Sequence, residues 1–138
     1  MSEQRVDAVI VGAGFAGMYA LHRLLKENFQ PIVFEIGDNV GGTWYWNRYP
    51  GARCDVQSME YSYTFDDTLQ QDWNWSEKYA PQTEILRYAN HVADRFNLRP
   101  HINFGTRVLS AHYQEDDQEW LVSTDDNKVY RAKFCIMG

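Results

Sequence analysis

The sequence is poor in cysteine, in basic residues and in long hydrophobic runs, and each shortage excludes something. Its two cysteines, Cys54 and Cys135, have neither disulfide-framework nor metal-ligand spacing, which argues against a stapled secreted scaffold or a thiolate metal site. No apolar run reaches the roughly 18 residues that a spanning helix needs. The N-terminus lacks the basic and apolar regions of a signal peptide. Thirteen Lys and Arg against 19 Asp and Glu leave a net charge of -6. That balance disfavours nucleic acid as the main partner, because phosphate binding wants a basic face. The histidines His22, His91, His101 and His112 are scattered, without H-x3-H or H-E-x-x-H spacing. The acidic runs at 115–117 and 125–127 lack the glycine and terminal Glu of a calcium loop, so no metal is expected. There are no internal repeats and no low-complexity linker. The expectation is one soluble, reduced, cytoplasmic domain with neither membrane nor nucleic acid as partner.

Apolar and aromatic residues make up 44% and 15% of the 138-residue chain, enough for a real core. Val6–Val11 reads as a buried parallel strand. Gly12-Ala-Gly14-Phe-Ala-Gly17 follows at once, and Met18, Ala20, Leu21, Leu24 and Leu25 then set a helical pattern ending near Asn28. A second strand over Pro31–Glu35 completes a βαβ unit. In this arrangement Gly12 permits a tight turn, Gly14 lets backbone approach a pyrophosphate, and Gly17 allows close helix–strand packing. The helix N-terminus offers free N–H groups and the positive dipole end to phosphates. Glu35 stands where an acid is expected to bond a ribose and would repel a 2′-phosphate. This first site therefore suits FAD or NAD and not NADP.

The stretch Gly41–Asp55 (GGTWYWNRYPGARCD) combines glycines, a Pro-Gly turn and several large rings, a composition that exposed loops avoid without reason. Its Gly41-Gly42-x-Trp44-x4-Tyr49-Pro50-Gly51-x3-Asp55 pattern resembles, at every fixed position, the N-terminal fingerprint of type I Baeyer–Villiger monooxygenases, in particular the phenylacetone and cyclohexanone monooxygenase branch. The resemblance runs from Val6 to the C-terminal Phe-Cys-Ile-Met-Gly. It implies a Rossmann-like α/β FAD-binding domain, NADP(H) held by a second domain, and conversion of ketones to esters or lactones by O2 through a C4a-peroxyflavin. It also assigns roles. Phe15 and Ala16 lie at the pyrophosphate turn and Glu35 on the adenosine ribose. Gly42, Thr43, Trp44, Tyr45 and Trp46 line the flavin, with Asp55 and Tyr61 near its ring system. Arg53, Cys54 and Asp55 meet the nicotinamide half of NADP, and Val108 gives backbone contacts to the adenine. The catalytic assignment is Asp55, which orients an arginine outside this chain; neither Arg48 nor Arg53 matches that arginine. Cys54 reads as a small buried residue beside the cofactor and not as a nucleophile. Other readings of the same residues are an N-hydroxylating or flavin-containing monooxygenase, or a flavin-binding module without turnover.

Beyond Asp55, the residues Val56–Phe65 are expected to pass near the flavin and leave it. The segment Asp66–Tyr79 reads as a polar loop whose Trp73 and Trp75 serve packing. Apolar residues at helical spacing from Ile85 to Phe96 predict a helix opened by Pro81 and ending near Asn97. Ile102–Phe104 is expected as a short third parallel strand. Alternation over Thr106–Tyr113, Glu119–Thr124 and Lys128–Phe134 predicts a three-stranded antiparallel meander. Phe134–Gly138 reads as the next sheet strand, arriving at a glycine turn. With no second glycine-rich nucleotide fold in sight, residues 1–138 are expected to be the N-terminal FAD-binding part of a longer enzyme, inactive alone. The rest of the polypeptide, a ketone and O2 are its expected partners.

Overall fold

A computed structural model describes residues 2–138, the Ser2 side chain excepted. In chain order the elements are β1 (Ser2–Val11), α1 (Phe15–Lys26), β2 (Pro31–Phe34), α2 (Thr43–Trp46), α3 (Asp67–Asp72), α4 (Gln82–Arg95), β3 (Ile102–Asn103), β4 (Val108–Gln114), β5 (Glu119–Thr124) and β6 (Lys128–Met137). Short 3-10 turns cover Ser58–Tyr61 and Arg99–His101. The strands form one mixed six-stranded sheet in the order β3-β2-β1-β6-β5-β4. β1 lies parallel to both β2 and β6, and β2 parallel to β3, while β4, β5 and β6 form the expected antiparallel meander.

Two faces of the sheet carry two cores, as the two-residue strand period requires. On one face Ile10 and Val33 meet Met18 and Leu21 of α1, and Ala89 and Ala93 of α4. On the other face the neighbouring Val9 and Phe34 meet Val122, Tyr130 and Ala132, so this second core is built from strands alone. The Phe34 and Tyr130 rings lie 4.8 Å apart there.

Three expectations need correction. β6 is one strand and not two: Val129–Ser123 to Ala132–Trp120 is its meander pairing, and Lys128–Met137 pairs along β1 from Ser2 to Val11. A single strand serves both ladders because it uses both of its edges. For the same reason β1 begins at Ser2, four residues before the apolar run. Those polar residues gain ladder bonds, along with an ion pair from Arg131 Nε to Glu3 at 2.7 Å and another between Arg5 and Glu119. Finally, the supposed loop 66–79 contains α3. Asp66 caps it, its Oδ1 accepting the Leu69 N–H at 2.8 Å, which is the usual role of an N-cap Asp.

Trp73 and Trp75 do pack inside, their rings 5.2 and 5.1 Å from that of Tyr88 on α4. Behind them His22 of α1 sits between Phe65 and Phe96, at 4.5 and 4.7 Å. Burial is the main reason its pKa lies below the ordinary 6.5, with Lys26 and Arg23 acting the same way and Asp66 against. The unfolded chain therefore binds a proton that the fold resists. Stability should be highest above pH 6.5 and decline as the pH falls below it, until the folded-state value is passed. His22→Leu, which keeps the apolar contacts, should flatten that decline in urea melts compared between about pH 7 and about pH 5. An unchanged slope would remove His22 as its source.

Candidate functional site

Three segments converge at the C-terminal end of β1. Gly12, at φ +100°, turns the chain out of β1. Gly14 then starts α1 as its N-cap without offering a side chain, leaving the first-turn amides of this 12-residue helix facing outward. Gly17 brings α1 against the turn: a Cβ there would stand 1.9 Å from the Gly12 carbonyl oxygen.

The second segment is the aromatic one. Gly41 N–H donates to the Ala13 carbonyl at 3.0 Å, and Gly42 lies so close to Gly14 that a Cβ on it would be 3.0 Å from the Gly14 Cα. Gly42 holds φ +55° and launches α2, a single turn within the aromatic stretch. The third segment is the end of β2. Glu35, 6% exposed, accepts the Ala13 N–H through Oε1 at 2.8 Å and the Gly37 N–H through Oε2 at 2.7 Å. A carboxylate oxygen has room for a second donor, so Glu35 fastens the glycine loop and still faces the groove.

Between these segments runs a groove of about 590 Å³. Its walls include Gly12, Gly14, Phe15, Ala16, Glu35, Gly42, Thr43, Trp44, Trp46 and Tyr61, all among the expected site residues. Gly17 supports it from below. Gly41, Asn47 and Gly138 also line it and were not foreseen. Gly41 stood within the fingerprint and is close to the Leu86 side chain of α4. Asn47 carries no sequence signal; it ends α2 through its amide on the Thr43 carbonyl, 2.9 Å away. A smaller hollow of about 150 Å³ continues from Gly12 and Glu35 to Thr106 and Val108.

The ring wall is firmly held. Trp44 is 8% exposed, its carbonyl accepts from the Gln82 amide, and its ring meets the Tyr61 ring edge-on at 5.6 Å. Phe15 meets Tyr61 at 5.7 Å and Tyr63 at 5.5 Å, and the Tyr63 hydroxyl donates to the Phe15 carbonyl. Burial pushes the Tyr63 phenol far above its ordinary pKa, and Tyr88 in the same direction. Trp46, by contrast, is 57% exposed. Among the described residues, Glu35 is the only charged side chain lining the groove, so backbone amides and the α1 dipole are what an anion would meet.

Besides Gly17 beneath the groove and Val108 in the smaller hollow, four expected residues stand outside it. Tyr45 flanks it, its hydroxyl donating to Asp38 and its ring passing Gly37. Arg53 pairs with Glu77 and donates to the Tyr79 carbonyl at 3.0 Å. Cys54 is buried with Trp44, Ala80 and Ile85, and Asp55 is exposed. The cause is local: residues 52–54 run strand-like beside 80–82, with Arg53 bridged to Pro81 and the Cys54 N–H donating to the Ala80 carbonyl at 3.2 Å. Alternation along that stretch turns Cys54 inward and its neighbours outward.

Among known proteins, the chain is 44% identical over 96% of its length to a Baeyer-Villiger monooxygenase of Pseudooceanicola batsensis, and covers 24% of that protein. It superimposes on an oxidised steroid monooxygenase bound to NADP with a TM-score of 0.96, at 53% identity, covering 98% of this chain and 26% of that one. The crystal structure of OTEMO in complex with FAD and NADP gives a TM-score of 0.91 at 42% identity, covering 96% of this chain and 25% of the other. The chain thus spans about a quarter of the length of the curated relatives it matches. Among the described residues, no helix is long and apolar enough to cross a membrane. A sequence model of the NAD(P)-binding Rossmann-like domain matches residues 10–115, the span from the end of β1 into the meander. Its βαβ unit, parallel strand order and glycine turn agree with that match, and the chain belongs to the NAD(P)-binding Rossmann-like domain family.

Proposed function

We propose that residues 1–138 are the FAD-binding part of an NADPH- and O2-dependent Baeyer–Villiger monooxygenase that converts ketones to esters or lactones. The observation that carries this is the groove between the glycine turn and the Gly41–Trp46 segment. Its residues fit a dinucleotide: Gly14 and Gly42 approach backbone to backbone, a Cβ on Gly42 standing 3.0 Å from the Gly14 Cα, and the α1 N-terminus, with no side-chain cap, opens onto the groove. The Phe15 and Ala16 amides would hold the pyrophosphate, Glu35 the adenosine ribose, and Val108 the adenine through its backbone. Thr43, Trp44, Trp46 and Tyr61 would flank the ring system, with Tyr45 steadying them from outside through Asp38. When bound there, the flavin supplies the two-electron redox chemistry and the activation of O2.

The chain's own contribution is to bind, orient and keep water out. Trp44 and Tyr61 present apolar ring surface that excludes solvent. Asp55 and Arg53, exposed beside the groove, are available to groups from elsewhere in the longer polypeptide. Asp55 would orient an arginine there, a charge-assisted pairing that fixes both partners, while Arg53 and Cys54 would border the nicotinamide half of NADP(H). Ketone, O2 and the remaining polypeptide are then the partners, in the cytoplasm. The test is to release and identify the nucleotide carried by the purified full-length protein, of which residues 1–138 are a part, then supply NADPH with cyclic and aryl ketones. FAD together with ester or lactone product is expected. A protein without flavin, or one that hydroxylates amines and forms no ester, would overturn the reading.

A further inference from the structure

Trp44 closes the groove, and a line of contacting rings leads from it to a different part of the surface. Trp44 touches Tyr61 at 5.6 Å, and Tyr61 touches Phe15 at 5.7 Å. Phe15 lies against Tyr63 at 5.5 Å and Tyr88 at 6.1 Å. Tyr88 meets Trp75 at 5.1 Å and Trp73 at 5.2 Å, and the two indoles meet each other at 5.6 Å. Trp73 and Trp75 in turn line a second cleft of about 460 Å³, with Met59, Gln70 and Asn74 at its walls. Met59 is 76% exposed, so small solutes reach this end.

From this arrangement we propose that the ring line from Trp44 to Trp73 is a one-electron path joining the flavin groove to the second cleft, a function distinct from ketone oxidation. It rests on the reading of the groove as a flavin site. The oxidant is the light-excited oxidised flavin and the reductant a soluble one-electron donor such as ferrocyanide. Trp44 gives up one electron to the flavin, and the indole is refilled along the ring line, so that the electron vacancy comes to rest on Trp73 or Trp75. Ferrocyanide entering the cleft fills that vacancy and becomes ferricyanide. One electron has then crossed, and no covalent bond has formed or broken.

The two ends suit the task better than the middle. Phe15 carries no group that is readily oxidised and acts as a spacer between phenols. Tyr63 and Tyr88 hold their protons tightly because burial disfavours the phenolate, and Tyr63 donates to a carbonyl, which is no base. A vacancy therefore passes them instead of settling there as a neutral phenoxyl. The indoles at the far end need lose no proton to hold it briefly.

The test uses the FAD-loaded full-length protein under blue light without oxygen, in excess ferrocyanide, reading flavin bleaching and ferricyanide formation. Trp73→Phe, Trp75→Phe and the double variant keep ring packing, and their flavin content and circular dichroism report retained fold. Bleaching should slow several-fold in each single variant and further in the double one, and an indole radical should be detectable by electron paramagnetic resonance in the wild type. Equal bleaching rates with equal FAD content would overturn the path and leave the flavin site standing. Absence of bound FAD would overturn both.

Discussion

Gly17→Ala should abolish folding or lower the melting temperature by roughly 10 °C or more. The added methyl would lie 1.9 Å from the Gly12 carbonyl oxygen and 3.0 Å from its carbon. Both are backbone atoms, so no side chain can swing aside. Relief would require α1 to move off the β1–α1 turn, yet Met18 and Leu21 on that helix are 1% and 0% exposed in the main core. Overpacking of this kind costs about 3 kcal/mol or more, a large fraction of the roughly 5–15 kcal/mol that holds a domain together. Thermal melts followed by circular dichroism check it. A variant melting within a few degrees of the wild type would mean that the helix is not pressed against the turn.

Glu35→Ala should be nearly as damaging, for an electrostatic reason. Each carboxylate oxygen accepts one backbone N–H, from Ala13 at 2.8 Å and from Gly37 at 2.7 Å, in a residue 6% exposed. Removing the side chain strands two buried donors, and bonds to a charged acceptor are worth about 1.5–3 kcal/mol each. Glu35→Gln keeps one acceptor and sets an amide N–H2 against the other donor, so it should fall between wild type and Ala. Urea denaturation gives the order wild type, Gln, Ala. The same order should hold for FAD retention, since the loop that these bonds shape is the floor of the groove. If Gln and wild type prove equally stable, the two bonds carry little.

Glu35 also shows where sequence reading reaches and where it stops. That an acid at this place belongs to the nucleotide site follows from its spacing after the glycines. That it also ties the glycine loop to the end of β2 does not, because the Ala13 amide, 22 residues away in the chain, becomes its neighbour only when β1 and β2 are paired. The βαβ unit, α4 and the meander were legible because their apolar periods are regular. The join of the meander to the parallel sheet was not: Phe134–Gly138 reads as a fresh strand when the tail of β6 is judged by composition and not by its pairing with Val6–Val11. α3 escaped because six residues around one capped turn are too short for any period, though Asp66, an N-cap residue type followed by the first-turn acid Asp67, was a usable start signal.

The aromatic stretch was legible in a different way. Its residues resembled a family before any physical argument could place them, and the structure sorts them by mechanism. Trp44 and Trp46 face the groove, Tyr45 braces its flank, and Cys54 is turned inward by strand-like alternation while Arg53 and Asp55 are turned out. No property of a single residue distinguishes Trp46 from Tyr45 in the sequence; the single turn of α2 does. Asn47 and Gly138 became groove residues through that turn and through the β1–β6 pairing, neither of which composition announces.

The central claim is that the floor between Gly14 and Gly42 receives a pyrophosphate, and Gly14→Ala tests it most directly. Gly14 has φ -78°, which alanine adopts freely, and its added Cβ would make only an ordinary 3.5 Å contact with the Gly42 Cα. The fold should therefore survive, with a melting temperature near that of the wild type, while the methyl occupies the space through which the backbone approaches the phosphates. FAD titration of the apo-protein, followed by flavin fluorescence, should show an affinity at least about tenfold weaker, equivalent to roughly 1.4 kcal/mol. An unchanged FAD affinity in a folded Gly14→Ala protein would contradict the account.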